Sequence, residues 1–209
     1  MFTTTSSVIM EEEIQFSEIE ISIEKLKEED SKELSSFSCG VNELDSFFHN
    51  EILICSKYHY FSSYCARNIV DNEIVTVFTL ANDAVMLDNS EDRDDFIEQS
   101  SYSIQEEYKA IFQMQTSFPA VNIGHLGVRK DIQSKRIGEK ILDFILNTFI
   151  YYNVSGCQFI TVDSLNNSRT NKFYSKNGFS FQTNTDIFKP TRRMYLPIEL
   201  YRYDEEGKE

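Results

Sequence analysis

The sequence lacks the features of a membrane protein, a secreted protein and a zinc protein. No apolar run approaches the roughly 20 residues that a bilayer-spanning helix requires. The start of the chain has neither the basic region nor the apolar core of a signal peptide. Cys39, Cys55, Cys65 and Cys157 include no C-x-x-C pair and no histidine at metal-binding spacing. We therefore expect a cytoplasmic protein with reduced, mostly buried cysteines, no metal site and no contact with a membrane.

The chain is also short of basic residues, since 20 Lys and Arg stand against 34 Asp and Glu and the net charge is −14. This balance disfavours nucleic acid as a partner. The acidic residues are concentrated in 11–33 and 88–107, which we interpret as solvated surface. Residues 120–198 instead carry 11 basic and 5 acidic side chains, a net charge of +6. A phosphate-bearing ligand is therefore compatible with that half of the chain.

The length and composition are those of one globular domain, with 209 residues, 41% of them hydrophobic and 13% aromatic. Repeats and low-complexity tracts do not occur. We predict a flexible leader at 1–16, a domain at 17–200 and a charged tail at 201–209. The polar, acidic segment near 88–115 is too long for a tight turn, and we interpret it as an insertion between core strands.

Hydrophobic periodicity predicts the order β-α-β-α-β-β over the second half of the chain. The first half is predicted to contain a strand at 19–23, a helix from Glu43 and a hairpin with strands at 64–68 and 73–80. The second half is predicted to contain strands at 121–128, 157–163, 179–182 and 193–198, and helices at 137–152 and 168–176.

The segment from Asn122 to Leu142 combines a strand, a short basic loop and the start of a helix. Backbone N–H groups at a helix N-terminus, behind such a loop, form an anion site. The sequence therefore predicts a site for a phosphate-bearing cofactor, with an ordinary surface loop as the alternative.

Two motifs resemble the GNAT superfamily of acetyl-CoA-dependent N-acetyltransferases. The loop from Gln133 to Gly138 is similar to the family pattern Gln/Arg-x-x-Gly-x-Gly/Ala, with Arg136 at the middle glycine. The segment from Asn167 to Phe179 resembles the family pattern Asn-x-x-Ala-x-x-Phe-Tyr-x-x-x-Gly-Phe, with Thr170 at the alanine. The resemblance implies an α/β (α+β) fold, in which a single domain has a mixed central sheet with helices on both faces.

The same resemblance implies a set of site residues and acetyl-CoA as cosubstrate. Tyr174 is expected to donate a proton to the leaving thiolate, and Asn167 and Asn171 are expected to line the cofactor site. The pantetheine arm is expected along the strand before the loop, at Leu126, Gly127 and Val128. The residues expected to hold the pyrophosphate through backbone N–H groups are Gln133, Ser134, Lys135, Arg136, Ile137, Gly138 and Glu139.

Two details depart from the family pattern. Arg136 replaces a glycine, so either the loop keeps ordinary dihedral angles or the arginine adds a charged phosphate contact. A general base is not apparent, because strand alternation puts His125 on the face opposite Asn122. We interpret His125 as structural, with Asp83 and Asp163 as weak alternative bases. The amine would then lose its proton to water or arrive neutral.

The leading hypothesis is an N-acetyltransferase that acts on a primary amine of unknown class. The segment from Phe37 to Phe48 resembles the branch of aminoacyl-tRNA-acetylating toxins, as does Met194–Pro197. A toxin of this kind is one alternative, although the net charge disfavours tRNA. A non-catalytic acyl-CoA-binding module is the other. Whether the protein forms a homodimer or binds an antitoxin stays open.

Overall fold

The computed structural model describes residues 19–87, 90–102, 104–152 and 154–201. The predicted leader at 1–16 lies outside the described residues, as does the predicted tail apart from its first residue. Within the described ranges, no helix is both long and apolar enough to cross a bilayer. All four cysteines are free thiols, and Cys39, Cys65 and Cys157 are buried.

The elements follow the predicted order, and the acidic insertion contains two helices. The strands are β1 (Ile21–Lys25), β2 (Ser62–Asn68), β3 (Ile74–Val85), β4 (Phe118–Val128), β5 (Phe159–Leu165), β6 (Ser180–Phe181) and β7 (Thr191–Pro197). The helices are α1 (Ser31–Leu34), α2 (Asn42–Asn50), α3 (Ile52–Lys57), α4 (Ser90–Ser101), α5 (Glu106–Met114), α6 (Ile137–Ile150) and α7 (Ser168–Lys176). Single 3-10 turns precede α1 and α6.

The seven strands form one mixed sheet in the order β1-β2-β3-β4-β5-β7-β6. Its only parallel contact among the described strands is between β4 and β5, and α6 makes the crossover between them. The other neighbours are antiparallel. This topology confirms the predicted α/β (α+β) fold with a mixed central sheet.

Helices cover both faces of the sheet because strand side chains alternate between them. On β3, Phe78 packs into a core with α6 and α7, whereas Val77 packs against α1 and α2 on the opposite face. Val85 lies further along that second face, in a cluster with α4 and α5. The second face therefore carries two groups of helices, at opposite ends of β3 and β4.

The acidic insertion packs on the sheet through aromatic rings. Phe96 of α4 and Phe112 of α5 are 2% and 3% exposed, and both contact Phe118 and Phe159. The acidic side chains of α4 and α5 lie mostly on the surface. The insertion thus forms one wall of the second face.

Candidate active site

Strands β4 and β5 separate half-way along their length. Their pairing runs only from Ala120 opposite Phe159 to Ile123 opposite Val162. Beyond this point β4 stays paired with β3, and β5 stays paired with β7. The sheet therefore opens into a gap between these two strands.

The backbone of β4 presents polar groups to this gap. The N–H of Arg129 donates to the Val75 carbonyl of β3 at 2.9 Å, so alternation turns the N–H and C=O groups of Leu126 and Val128 away from β3. The Val128 carbonyl accepts a bond from the Gln133 side chain at 2.9 Å. Two of the three predicted strand residues thus face the gap with their backbone.

Gly127 has a different role in the same strand. A Cβ atom at Gly127 would lie 2.5 Å from Cε2 of Phe48, a residue of α2 that is fully buried. The glycine therefore lets α2 approach β4 closely, on the face opposite α6.

The side chain of Gln133 holds the loop in position. Its Nε2 donates to the Cys39 carbonyl at 2.7 Å and to the Val128 carbonyl at 2.9 Å, while its Oε1 accepts from Arg169 at 2.8 Å. One side chain thus connects the loop to β4, to the turn before α2 and to α7.

The loop adopts left-handed backbone conformations without glycine. Ser134 and Arg136 have φ angles of +68° and +60°, so the alternative in which the loop keeps ordinary dihedral angles is wrong. Arg136 is the N-cap residue of α6, and its Nε donates to Glu139 at 2.8 Å. Lys135 is exposed beside it.

The first turn of α6 leaves backbone N–H groups that have no partner in the preceding turn. Ile137, Gly138 and Glu139 occupy this turn. A Cβ at Gly138 would lie 3.0 Å from the Phe173 ring, so the glycine also allows α6 and α7 to meet. Arg136 and Lys176 both pair with Glu139, and their bonds keep the pKa of its carboxyl below the usual range. The loop and this turn together supply the backbone N–H groups on which the prediction of an anion site rests.

Two asparagines of α7 lie near the end of β5. The Asn167 side chain caps the helix by accepting from the Thr170 N–H at 2.9 Å. Asn171 accepts from Ser164 Oγ at 3.0 Å and donates to Asn166 at 3.1 Å. Both side chains already have protein partners, so any contact with the cofactor would add to these bonds.

Tyr174 lies in the core shared by α6, α7 and the sheet, and it is only 5% exposed. Its ring packs edge-on against Phe173 and Phe179. Within the described residues, its hydroxyl group makes no hydrogen bond. Burial raises the pKa of this phenol well above its usual value, so the group stays protonated at neutral pH.

A β-bulge at Gly124 changes the faces of β4. Thr79 pairs with His125 and Leu80 pairs with Ile123, which leaves Gly124 unpaired. The His125 ring stacks on the Phe47 ring of α2, with 3.7 Å between the ring centroids. It therefore lies on the same face as Asn122, and our prediction that it occupies the opposite face is wrong.

The same face carries a chain of polar side chains that the sequence did not predict. Asn122 Nδ2 donates to Thr161 Oγ1 at 3.2 Å, Thr161 donates to Asp83, and Arg193 also donates to Asp83. Arg193 reaches Asp163 at 2.8 Å as well. Residues far apart in sequence meet here through strand order, and no local pattern indicates this. In the described part of the chain, no group of three or more His, Cys, Asp or Glu is arranged to hold a metal ion.

The geometry agrees with a family comparison, in which residues 99–181 match the model described as "Acetyltransferase (GNAT) domain". Residues 99–181 are thus similar to a GNAT acetyltransferase domain. Domains of this family transfer an acetyl group from acetyl-CoA to an amine. No curated protein matches its sequence.

Solved structures with the same fold include bacterial toxins. AtaT complexed with acetyl-methionyl-tRNAfMet has a TM-score of 0.67 and 16% identity, over 89% of this chain and 99% of the other. A tyrosine-to-phenylalanine mutant of KacT has a TM-score of 0.65 and 16% identity, over 90% and 98%. A similar mutant of AtaT, bound to acetyl-CoA and the C-terminus of the antitoxin AtaR, has a TM-score of 0.63 and 14% identity, over 90% and 99%. At such identities, these matches show the shared GNAT fold alone.

Proposed function

We propose that acetyl-CoA binds in the gap between β4 and β5, and that the acetyl group passes directly to an amine bound on the face of His125. The observation that carries this proposal is the end of β4–β5 pairing at Ile123, directly before backbone groups that face the gap. The amide groups of pantetheine would pair with the backbone of Leu126 and Val128, as an added strand does. The pyrophosphate would lie on the N–H groups of the loop and of the first turn of α6.

Tyr174 would complete the reaction as general acid. The C–S bond breaks as the amine nitrogen bonds to the carbonyl carbon, and the departing thiolate needs a proton. A buried phenol with a raised pKa retains its proton until that stage. The cofactor gap and Tyr174 both adjoin the core that contains Val128 and Phe173.

The Tyr174→Phe variant tests this role, because it keeps the ring contacts with Phe173 and Phe179. We expect kcat for CoA release to fall by roughly 10²-fold, with little change in the Kd of acetyl-CoA measured by calorimetry. Tyr102→Phe is the matched control, since Tyr102 is 83% exposed. Unchanged kcat in Tyr174→Phe would remove Tyr174 from the mechanism. A wild-type protein that binds acetyl-CoA but acetylates no amine would be the acyl-CoA-binding module instead.

An aminoacyl-tRNA is the second candidate for the acceptor. The observation that favours it is the fold match to AtaT, whose complex contains acetyl-methionyl-tRNAfMet, over nearly the whole length of that toxin. Exposed basic side chains also surround the anion site, including Lys135, Arg169 and Lys172. They provide local positive charge for phosphate contacts, although the net charge of the whole chain is −14. If the acceptor is an aminoacyl-tRNA, we also propose that the protein binds an antitoxin and is located in the cytoplasm.

An acceptor panel separates the candidates. Acetyl-CoA turnover would be measured with methionyl-tRNA, spermidine and a short peptide with a free N-terminus. Acetylation of methionyl-tRNA, together with growth arrest on expression that Tyr174→Phe relieves, supports the toxin. Turnover with spermidine or the peptide alone supports a small-molecule or protein acceptor and rejects tRNA.

A further inference from the structure

A groove of about 450 Å³ lies between the C-terminal half of α6 and the adjoining parts of β2, β3 and β4. The proposed cofactor site uses the other end of β4 and the N-terminus of α6, so the groove has no part in it. Among the described residues that line the groove, none is Asp, Glu, Lys or Arg. A concave surface lined by aromatic side chains is typical of a binding site. The rings that line it belong to Tyr60, Phe61, Tyr64, Phe144, Phe149 and Tyr152.

One edge of β3 is open beside this groove. The pairing of β3 with β2 ends at Leu80, whereas its pairing with β4 continues to Val85. No other strand in the described part of the chain pairs with this end of β3. The Val75 carbonyl accepts a bond from β4, so alternation along β3 turns the backbone N–H and C=O groups of Asn82 and Ala84 toward the open edge. Such an edge is able to accept a further strand.

An exposed ring lies beside the groove. Tyr60 lines the rim and is 74% exposed. The residue before it, His59, has a φ angle of +61°, which a residue other than glycine keeps only where the surrounding structure holds it. The Tyr60 N–H donates to the Cys55 carbonyl at 3.1 Å, and this bond ties the turn to the end of α3. On the other wall of the groove, Phe144 and Tyr152 are 37% and 38% exposed.

The charge of the chain limits how two copies meet. Each copy carries a net charge of −14 at pH 7, so two copies repel each other over most of their surface. A stable contact between them requires a surface without acidic side chains, and the groove provides one. A foreign partner that recognises an acidic protein by charge would be basic, and it would find no carboxylate among the described lining residues. These observations favour a second copy of the chain as the occupant.

We propose that two copies of the chain associate through this groove and the open edge of β3, about a two-fold axis. Two identical strand edges that meet in antiparallel orientation are self-complementary, because a two-fold axis brings the same surface of both copies together. The backbone groups of Asn82 and Ala84 then bond to the β3 edge of the other copy, and the two sheets become continuous. The rings of Tyr60, Phe144 and Tyr152 pack against those of the other copy and lose their contact with water.

Sedimentation equilibrium of the full chain over a range of protein concentrations tests this proposal. The wild type should form a dimer, with twice the 24.4 kDa mass of one chain. Tyr60→Ser should raise the dimer dissociation constant by roughly 10²-fold or more, because the symmetric contact loses the same ring twice. Tyr102→Ser is the matched control, since Tyr102 is 83% exposed and lies in the acidic insertion, outside the groove. Circular dichroism should show that both variants fold as the wild type does.

A charge variant and a salt series test whether the contact depends on an uncharged surface. Asn82→Asp changes the volume little but brings one carboxylate from each copy into the groove, so the dissociation constant should rise by roughly tenfold or more. Asn184→Asp adds the same charge at an exposed residue outside the groove and should dimerise as the wild type does. Salt should strengthen the wild-type dimer and recover part of the Asn82→Asp dimer, because it screens the repulsion between acidic chains.

Three results would overturn the proposal. One is a wild type that stays monomeric at every concentration, which would leave the groove to a different ligand. Another is a dimer that neither Tyr60→Ser nor Asn82→Asp weakens. The third is an association that salt weakens, since a contact between the acidic insertion and the basic half of the chain behaves in this way. None of these measurements involves acetyl transfer, so the proposal stands or fails separately from the proposed function.

Discussion

At the scale of single residues, the Gln133 side chain connects the predicted cofactor loop to the rest of the fold. The sequence motif indicates Gln133 as the start of a run of backbone donors. The structure adds three side-chain bonds, to the carbonyls of Cys39 and Val128 and from Arg169. These bonds fix the loop against three separate elements. The side chain is therefore expected to set the position of the neighbouring N–H groups.

We predict that Gln133→Met weakens acetyl-CoA binding, because methionine fills a similar volume but makes none of the three bonds. A loss of roughly 1.4 kcal/mol in binding free energy corresponds to a tenfold rise in Kd. Calorimetric titration with CoA measures this change. Gln113→Met, on the exposed side of α5, should bind CoA as the wild type does. An unchanged Kd in Gln133→Met would mean that the loop holds its shape without this side chain.

At the scale of elements, two glycines determine how β4 meets its surroundings. Gly124 is the unpaired residue of the bulge, and Gly127 is the point where α2 lies against the strand. Because the bulge inserts one residue, Gly127 and His125 both turn toward α2. The strand on which we propose that the cofactor binds thus also positions the face on which we expect the acceptor.

The Gly127→Ala variant should be destabilised, because its Cβ would lie 2.5 Å from the Phe48 ring. Overpacking of this kind costs roughly 1–3 kcal/mol, which urea unfolding measures. Gly156→Ala is the control, since no heavy atom lies within 4 Å of its added Cβ. Adding Phe48→Leu should recover part of the loss in Gly127→Ala. Equal stability of the two alanine variants would show that α2 moves away from β4 at no cost.

Much of the element order follows from local pattern, but the site face does not. The apolar spacing in residues 137–152 predicts a helix that is observed as Ile137–Ile150. The prediction succeeds because the apolar residues form a single buried stripe along the helix. Alternation across Gly124 fails, because a bulge costs little in a strand that contains glycine and leaves no other sign in sequence. The expectation that the loop at Arg136 could keep ordinary dihedral angles is wrong for a related reason. Sequence alone does not reveal that the surrounding loop holds a non-glycine residue at positive φ.

At the scale of the whole molecule, Arg67 joins the N-terminal elements to the sheet. Its side chain is 8% exposed and pairs with Glu24 of β1 at 2.7 Å, Asp30 at 2.6 Å and Glu33 of α1 at 2.8 Å. It also donates to the Asn72 carbonyl. The bond from Arg67 lowers the pKa of Glu24. Arg67 thus lies between three carboxylates that would otherwise repel each other, and Lys27 adds a second cation beside Glu24 at 3.6 Å.

We predict that Arg67→Met reverses part of the pH dependence of stability. In the wild type, Glu24 has a lowered pKa in the folded state, so its contribution is complete above its unfolded pKa of about 4.3 and is lost as the pH falls. In the variant, Asp30 and Glu33 lose their cation and Glu24 keeps only Lys27 at 3.6 Å, so the loss at neutral pH should be roughly 3–5 kcal/mol. Protonation of one carboxylate relieves the repulsion between them.

The deficit of Arg67→Met relative to wild type should therefore shrink as the pH falls from 7 toward 4, as measured by urea unfolding at each pH. Lys57→Met is the matched control, because Lys57 and its partner Glu28 are 68% and 85% exposed and such pairs contribute little. A deficit that stays constant with pH would mean that Arg67 stabilises the fold through packing alone, since only the charge term depends on protonation. The N-terminal elements would then be held to the sheet by the apolar cluster around Phe48, and the three carboxylates would be solvated independently of Arg67.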